Sequence, residues 1–182
     1  MSQRTLILLG LVFVILLGFT VLLRNQPPPQ PTIEDADVVY YTVFSDFTAV
    51  DIQAVRLQDP NSERALLLNR APFGAWTTPE IIGTFDPQVG ENIARTLEIL
   101  PYSRTVEIGE NATMADFGFA PNGLLLVQIL LMNGDSHVIA VGGLTPTQDS
   151  YYALIDERPE VYVLQRAAVD FLQVQLFSSP IS

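Results

Sequence analysis

The sequence predicts an α+β protein: a single-pass N-terminal transmembrane helix followed by one mostly antiparallel sheet domain with helices on one face. Three observations predict it. Leu6 to Leu23 (LILLGLVFVILLGFTVLL) runs without a charge, and at 1.5 Å of rise per residue it reaches roughly 27 Å, close to the hydrocarbon thickness of a bilayer. Beyond Asp37, short runs of β-branched, aromatic or alternating residues are separated by turn-forming clusters, the mark of strands joined by hairpins. Helical periodicity intervenes after Asp86-Pro87 and again near Phe171.

The flanks of the apolar run set the expected topology. Arg4 precedes it and Arg24 follows it, so the positive-inside rule gives nearly a tie. A very short tail ahead of one folded domain is the layout of a signal anchor, which places the amino terminus inside and the domain outside. A cleaved signal would have an apolar core of about 7–15 residues and a small-x-small site; this core is longer, and Val21 to Gln26 offers no such pair. With no cysteine in the chain, a lipoprotein anchor is excluded. The expected organisation is a transmembrane signal anchor over 1–24, a Pro-rich stalk over 25–36 and an extracytoplasmic α+β domain over 37–182, located at the cell membrane. The stalk follows from Asn25-Gln26-Pro27-Pro28-Pro29-Gln30-Pro31, which cannot form helix and favours extended polyproline.

Within the domain, Val38 to Phe44 reads as a strand, and Ile52 to Leu57 alternates at period two. Asp59-Pro60-Asn61-Ser62 is a turn cluster, and Arg64 to Arg70 returns as the second arm of a hairpin. Trp76 follows as a core or edge anchor. Asp86 can cap free amides and Pro87 suits the first helical position, after which Val89, Ile93, Leu97 and Leu100 make one apolar face until Pro101 stops it. Ser103 to Ile108 alternates again, and Ala112 to Asp116 reads as a short helical turn. Leu124 to Met132 (LLLVQILLM) is nearly continuously apolar, which predicts a central strand buried on both faces. Asn133-Gly134 is the strongest short hairpin signal, returning through Ser136 to Val141. Tyr151 to Leu154 and Val161 to Leu164 flank a charged turn, Asp156 to Glu160, and Leu164, Ala168, Phe171 and Leu172 line a terminal amphipathic helix.

Charge excludes one class of partner. All 20 acidic residues but only 7 of the 9 arginines lie beyond residue 33, leaving −13 there, and there is no lysine. Phosphates repel such a surface, so nucleic acid is excluded as a partner. The missing cysteines remove thiol nucleophiles, iron–sulfur clusters and Cys-ligated zinc. No catalytic, cofactor-binding or metal-binding residue is expected. Asp116-Phe117-Gly118 matches the metal-binding tripeptide of protein kinases, but without a Gly-rich loop, a lysine or a His-Arg-Asp loop it reads as a turn. Asn111-Ala112-Thr113 has the form of a glycosylation sequon and reads as a surface loop. His137, the lone histidine, has no second histidine to form a metal pair or a triad and reads as solvent-facing or hydrogen-bonded. Asp156, Glu157 and Glu160 match no calcium-loop spacing.

The second half carries a resemblance. The order Asp116-Phe117-Gly118-Phe119-Ala120-Pro121, an apolar strand, Asn133-Gly134-Asp135, Val141-Gly142-Gly143, Tyr151-Tyr152-Ala153 and Glu160-Val161-Tyr162-Val163 resembles bacterial proteins of the domain-of-unknown-function family 4340. Trp76 and the helix from Pro87 fall where that family has a tryptophan and a helix. Phe119 stands where leucine is usual, Gly142-Gly143 replaces Ile-Gly, and Leu154 stands where arginine often follows Tyr-Ala. The resemblance implies a protein anchored by one amino-terminal helix, with an accessory role and no known reaction; some relatives of that kind are encoded beside ABC-type export systems linked to gliding motility. The expected function is a membrane-tethered extracytoplasmic accessory or interaction subunit of a bacterial envelope complex, without catalytic activity. Its expected partners are the bilayer, through Leu6 to Leu23, and proteins of a membrane complex. The alternative is a membrane-anchored small-molecule or glycan-binding module. A binding module should present a concave pocket with exposed aromatics such as Trp76, Tyr151 or Tyr152, whereas an interaction subunit should present an exposed apolar patch or an open strand edge.

Overall fold

Period-two alternation, more than bulk hydrophobicity, decides how this chain folds. The computed structural model describes residues 38–79, 85–110 and 112–178. The chain divides into two units, Met1–Val38 and Val39–Ser182, and the second carries the sheet. In chain order its elements are β1 (Tyr41–Thr42), a 3₁₀ turn (Ala49–Asp51), β2 (Ile52–Gln58), β3 (Ala65–Arg70), β4 (Trp76–Thr77), α1 (Pro87–Glu98) and β5 (Pro101–Val106). The second half adds β6 (Leu125–Leu131), β7 (Ser136–Leu144), β8 (Ser150–Ile155), β9 (Val161–Gln165) and α2 (Arg166–Ser178). The nine strands form one antiparallel sheet in the order β1-β5-β9-β8-β7-β6-β2-β3-β4.

This architecture corrects the expected fold class. A nine-stranded antiparallel sheet with two helices stands in place of a sheet domain behind a single-pass transmembrane helix: among the described residues no helix is long and apolar enough to cross a membrane. The expected anchor, Leu6 to Leu23, and the Pro-rich stalk lie outside the described residues.

Register places the core on one face. Leu66, Leu57, Val127, Ile139 and Ile155 lie side by side across β3, β2, β6, β7 and β8, and Leu68, Val55, Ile129 and His137 form the next row. Leu125, Val141, Ala153 and Tyr162 continue it toward β9. These apolar residues are buried together with Ile93, Ala94 and Leu97 of α1 and Ala168, Val169, Leu172 and Leu176 of α2 in one hydrophobic cluster. Asp86 caps α1 by accepting from the Gln88 amide at 2.9 Å, and Pro87 occupies the first turn, where its missing N–H leaves no donor unpaired.

Leu124 to Met132 is corrected from a strand buried on both faces. In β6 burial alternates: Leu125, Val127, Ile129 and Leu131 are buried, while Gln128 and Leu130 are exposed. The strand expected over Val38 to Phe44 shortens to Tyr41–Thr42. On its other side β5 is bulged between Tyr102 and Arg104 against β9, while Val43 and Phe44 turn into the core. Ala112 to Asp116 makes no helix; Asp116 Oδ2 instead closes a turn by accepting from the amide and hydroxyl of Thr113 at 2.7 and 2.8 Å.

At the β3–β4 end, Arg70 fastens three elements to the sheet. Its guanidinium donates to the carbonyls of Ala49, Ile52 and Gly74, stacks 4.5 Å above the Trp76 ring and lies 3.6 Å from Glu91 on α1. Trp76 is 2% exposed and fills the space where Gly90 has no side chain: a Cβ there would lie 2.2 Å from Trp76 Cγ.

Two substitutions check this packing. In a fragment starting at Asp37, Ile129→Asp buries an unpaired charge at a cost comparable with the whole ~5–15 kcal/mol of a domain's stability. It should abolish cooperative urea unfolding, whereas Gln128→Asp on the opposite face should leave the transition in place; equal behaviour of the two would reverse the strand's facing. Gly90→Ala should destabilise by about 1–3 kcal/mol because the methyl overpacks Trp76, despite the roughly 1 kcal/mol that alanine gains over glycine inside a helix. A raised denaturation midpoint for that variant would show that Trp76 does not pack against the helix.

Candidate functional site

The aromatic residues that a ligand pocket would expose are used elsewhere. Trp76 is buried beneath Arg70, and Tyr151 is 7% exposed with its hydroxyl donating to Asp170 at 2.9 Å. Burial, foremost, and then Asp170 push the Tyr151 phenol upward. Tyr152 meets Phe117 edge-on at 5.1 Å.

His137 lies at the start of β7 on the core side, its ring 4.7 Å from Phe44 and 5.4 Å from Phe47. Its Nδ1 is 2.9 Å from Asp156 Oδ2, and its Nε2 is 3.3 Å from Asp46 Oδ2 without hydrogen-bond alignment. Asp156 is fixed in turn: its Oδ1 accepts from the Val138 amide at 2.7 Å and its own amide donates to the Val138 carbonyl at 2.8 Å. Its φ of +51° is a left-handed conformation that Asp tolerates better than most residues. Asp46, Asp135, Ser136, His137, Val138, Asp156 and Glu157 line a shallow cleft of about 620 Å³. Of the two ring nitrogens, Nδ1 is held by Asp156, while Nε2 is buried beside Asp46 with no hydrogen-bond partner among the described residues. Ser136, the adjacent strand residue, projects to the opposite face of the sheet and cannot complete a triad with His137. His137 thus lies at the end of the core with Nδ1 hydrogen-bonded to Asp156.

The other look-alikes are structural as well. Asp116 closes the turn described above, and Gly118 follows it at φ +74°. Asn111 lies outside the described residues. At the charged turn, Arg158 donates to the Tyr162 hydroxyl at 3.0 Å and to the Val43 carbonyl at 3.3 Å, and the Tyr162 hydroxyl donates to Glu160. Among the described residues no group of three His, Cys, Asp or Glu side chains is arranged to hold a metal ion.

The face of the sheet opposite the helices is different, because the described residues cover it over only part of its width. At the β7–β8 end the segment 112–124 lies across it. Phe117, 8% exposed, rests on Tyr152, the Phe117 carbonyl accepts from the Gly143 amide at 2.8 Å, and Leu124 donates to the Val141 carbonyl at 2.7 Å. A Cβ on Gly142 would lie 2.3 Å from the Phe117 carbonyl oxygen, and one on Gly118 would lie 2.3 Å from the Gly143 nitrogen. Backbone meets backbone there, which is what the glycines permit. Phe117, Gly118, Gly142, Gly143 and Tyr152 thus meet in one place, where they build a cover for the sheet.

Toward β2 and β3 that cover ends. The outward row Leu67, Arg56, Gln128 and Val138 and the outward row Ala65, Gln58, Leu126, Ala140 and Leu154 run across β3, β2, β6, β7 and β8. At roughly 4.8 Å between strands this surface is about 20 Å wide. Leu130 and Val138 are 39% and 38% exposed, and Leu126, Ala140 and Leu154 are partly so. Arg56 is the one charged side chain among the outward strand positions of these five strands. Sequence reasoning missed this surface by reading Leu124 to Met132 as buried on both sides; the signal was Gln128, the one polar residue inside the run.

Compared with protein-family models, curated proteins and solved structures, the chain finds no match.

Surface carboxylates set the acid limit of the fold. Asp51 is held below the usual carboxylate range by hydrogen bonds from the Thr48 side chain and amide, Asp59 by the Asn61 amide and Asp116 by the Thr113 amide and hydroxyl. Asp149 is lowered by Thr147, and Glu91 by Arg95 first, with smaller contributions from the Trp76 indole, which falls short of hydrogen-bond geometry, and the Arg70 charge. A carboxyl group with a lowered pKa in the folded state takes up protons more readily when unfolded. Its contribution is complete above the unfolded value of about 4 and is lost as pH falls through the folded one. Melting temperature should therefore hold steady from neutral pH down to about pH 5 and drop below about pH 4; a melting temperature that stays flat to pH 2 would contradict these assignments.

Proposed function

We propose that this domain is a non-catalytic interaction module, an accessory subunit that holds another protein against the bare part of its outer sheet face. The observation that carries this reading is the exposed strip of Leu126, Leu130, Val138, Ala140 and Leu154 beside a part of the same face that is already covered. Apolar area left in water on a regular, rigid surface favours association, and side chains on strands are held in fixed positions ready for a partner. The small-molecule or glycan alternative would call for exposed aromatics around a concavity, and Trp76 and Tyr151 are buried instead. Association with an envelope complex or an export system rests on the motif order shared with family 4340.

The test is a paired substitution of Leu130 and Val138 by Glu, followed by gel filtration of the full chain from a gentle extract of its own cells. Wild type should run in a complex larger than the chain alone, and the double variant should run free with its melting temperature within a few degrees of wild type, since exposed positions tolerate charge. A wild-type chain that runs alone, or a variant that stays in the complex, would end this reading.

A further inference from the structure

The bare surface carries one charge, and its position constrains what lies on it. Arg56 has Leu67 on β3 and Gln128 on β6 as direct cross-strand neighbours, with Leu126 and Leu130 diagonal to it across β6. It makes no ion pair among the described residues and is exposed. Beyond residue 33 the chain carries 7 arginines and 20 acids, and the outward strand positions around Arg56 hold none of those acids. Arg70, Arg95 and Arg166 each contact a carboxylate.

Resting on the interaction reading above, we propose that the partner is a protein segment with apolar side chains and one carboxylate, which pairs with Arg56 as those side chains cover Leu126, Leu130 and Val138. A segment laid across these residues must take the guanidinium out of water. Leaving it unpaired would oppose binding, whereas a carboxylate satisfies its planar fork with two parallel hydrogen bonds. The partner brings one acid rather than an acidic stretch, because the rest of the domain is strongly negative and repels an accumulation of like charge. The same negative charge disfavours an anionic lipid surface. A second copy is disfavoured too: a two-fold face-to-face contact places the same uncompensated Arg56 on both sides. Segment 112–124 shows the form that such cover takes, with the Phe117 ring meeting Tyr152 edge-on while backbone amides and carbonyls pair alongside.

The experiment places a photoreactive benzophenone amino acid in the full chain at Leu130 or Val138, with Phe73, which is fully exposed on the turn before β4, as control. After irradiation in its own cells, the cross-linked peptides are sequenced. The expected result is adducts from positions 130 and 138, and none from 73, to a segment with Asp or Glu among apolar residues. Arg56→Glu should cut the yield by about tenfold or more, and Arg56→Gln by less, with melting unchanged in both. Replacing the partner's acid by Arg should restore the Arg56→Glu yield to within about threefold of wild type. Loss of adduct in Leu130→Glu with full retention in Arg56→Glu would overturn the carboxylate while sparing the interaction reading. Adducts to lipid, to another copy of this chain or to a segment without an acid would overturn the proposal, and no adduct at either position would overturn both.

Discussion

A nine-stranded sheet has two broad faces, and the described part of this chain has helix enough for one. That constraint organises the molecule. Alternation along β2, β3, β6, β7 and β8 sends leucine, isoleucine and valine to the side where α1 and α2 lie, and the buried cluster there is continuous. The opposite face must be covered by irregular chain or left to water. Segment 112–124 covers one end, at Gly142 and Gly143, where the absence of side chains lets backbone approach backbone. The remaining width, from β3 to β8, keeps a row of apolar residues around a single arginine.

The ends of the sheet are handled by different means. At the β4 end a short strand is closed off by a polar and aromatic cluster in which Arg70 satisfies three carbonyls at once, covers Trp76 and reaches Glu91. Such a guanidinium joins β3, the 3₁₀ turn and α1 through directional bonds, which apolar contacts alone would not align. At the β1 end the strand is two residues long, and β5 beside it is bulged at Tyr102–Arg104 against β9. Short, interrupted edges resist pairing with foreign strands, so association by edge addition is less suited to this domain than association by its face.

His137 shows how a residue of catalytic type can be occupied by structure. Two aromatic rings, the Asp156 carboxylate and the nearby Asp46 enclose the imidazole, while Asp156 is tied to the Val138 backbone through both its side chain and its amide. The arrangement closes the open end of the core where β7 begins. The neighbouring hydroxyl of Ser136 is directed away by the pleat, so the proximity of Ser, His and Asp in sequence and space does not amount to a nucleophilic constellation.

Local features were legible wherever a short-range rule governs them. Asp86 and Pro87 marked the start of α1, Asn133-Gly134 marked the β6–β7 turn, and Asp59 to Ser62 marked the turn between β2 and β3, each through contacts within a few residues. Features that depend on distant chain were not. The facing of Leu126, Gln128 and Leu130 is set by where the helices lie, and the setting of Arg56 by strands from both halves of the chain. The sequence by itself determined the turns, the helix start, the run of alternating strands and the strongly acidic balance, because these follow from neighbouring residues and from sums over composition. Only the tertiary structure decided which face of the sheet is buried, where segment 112–124 lies and which charge, among the described residues, is left alone on an apolar surface. Those outcomes depend on how much covering chain the sheet receives on each side, a quantity that no window of the sequence contains.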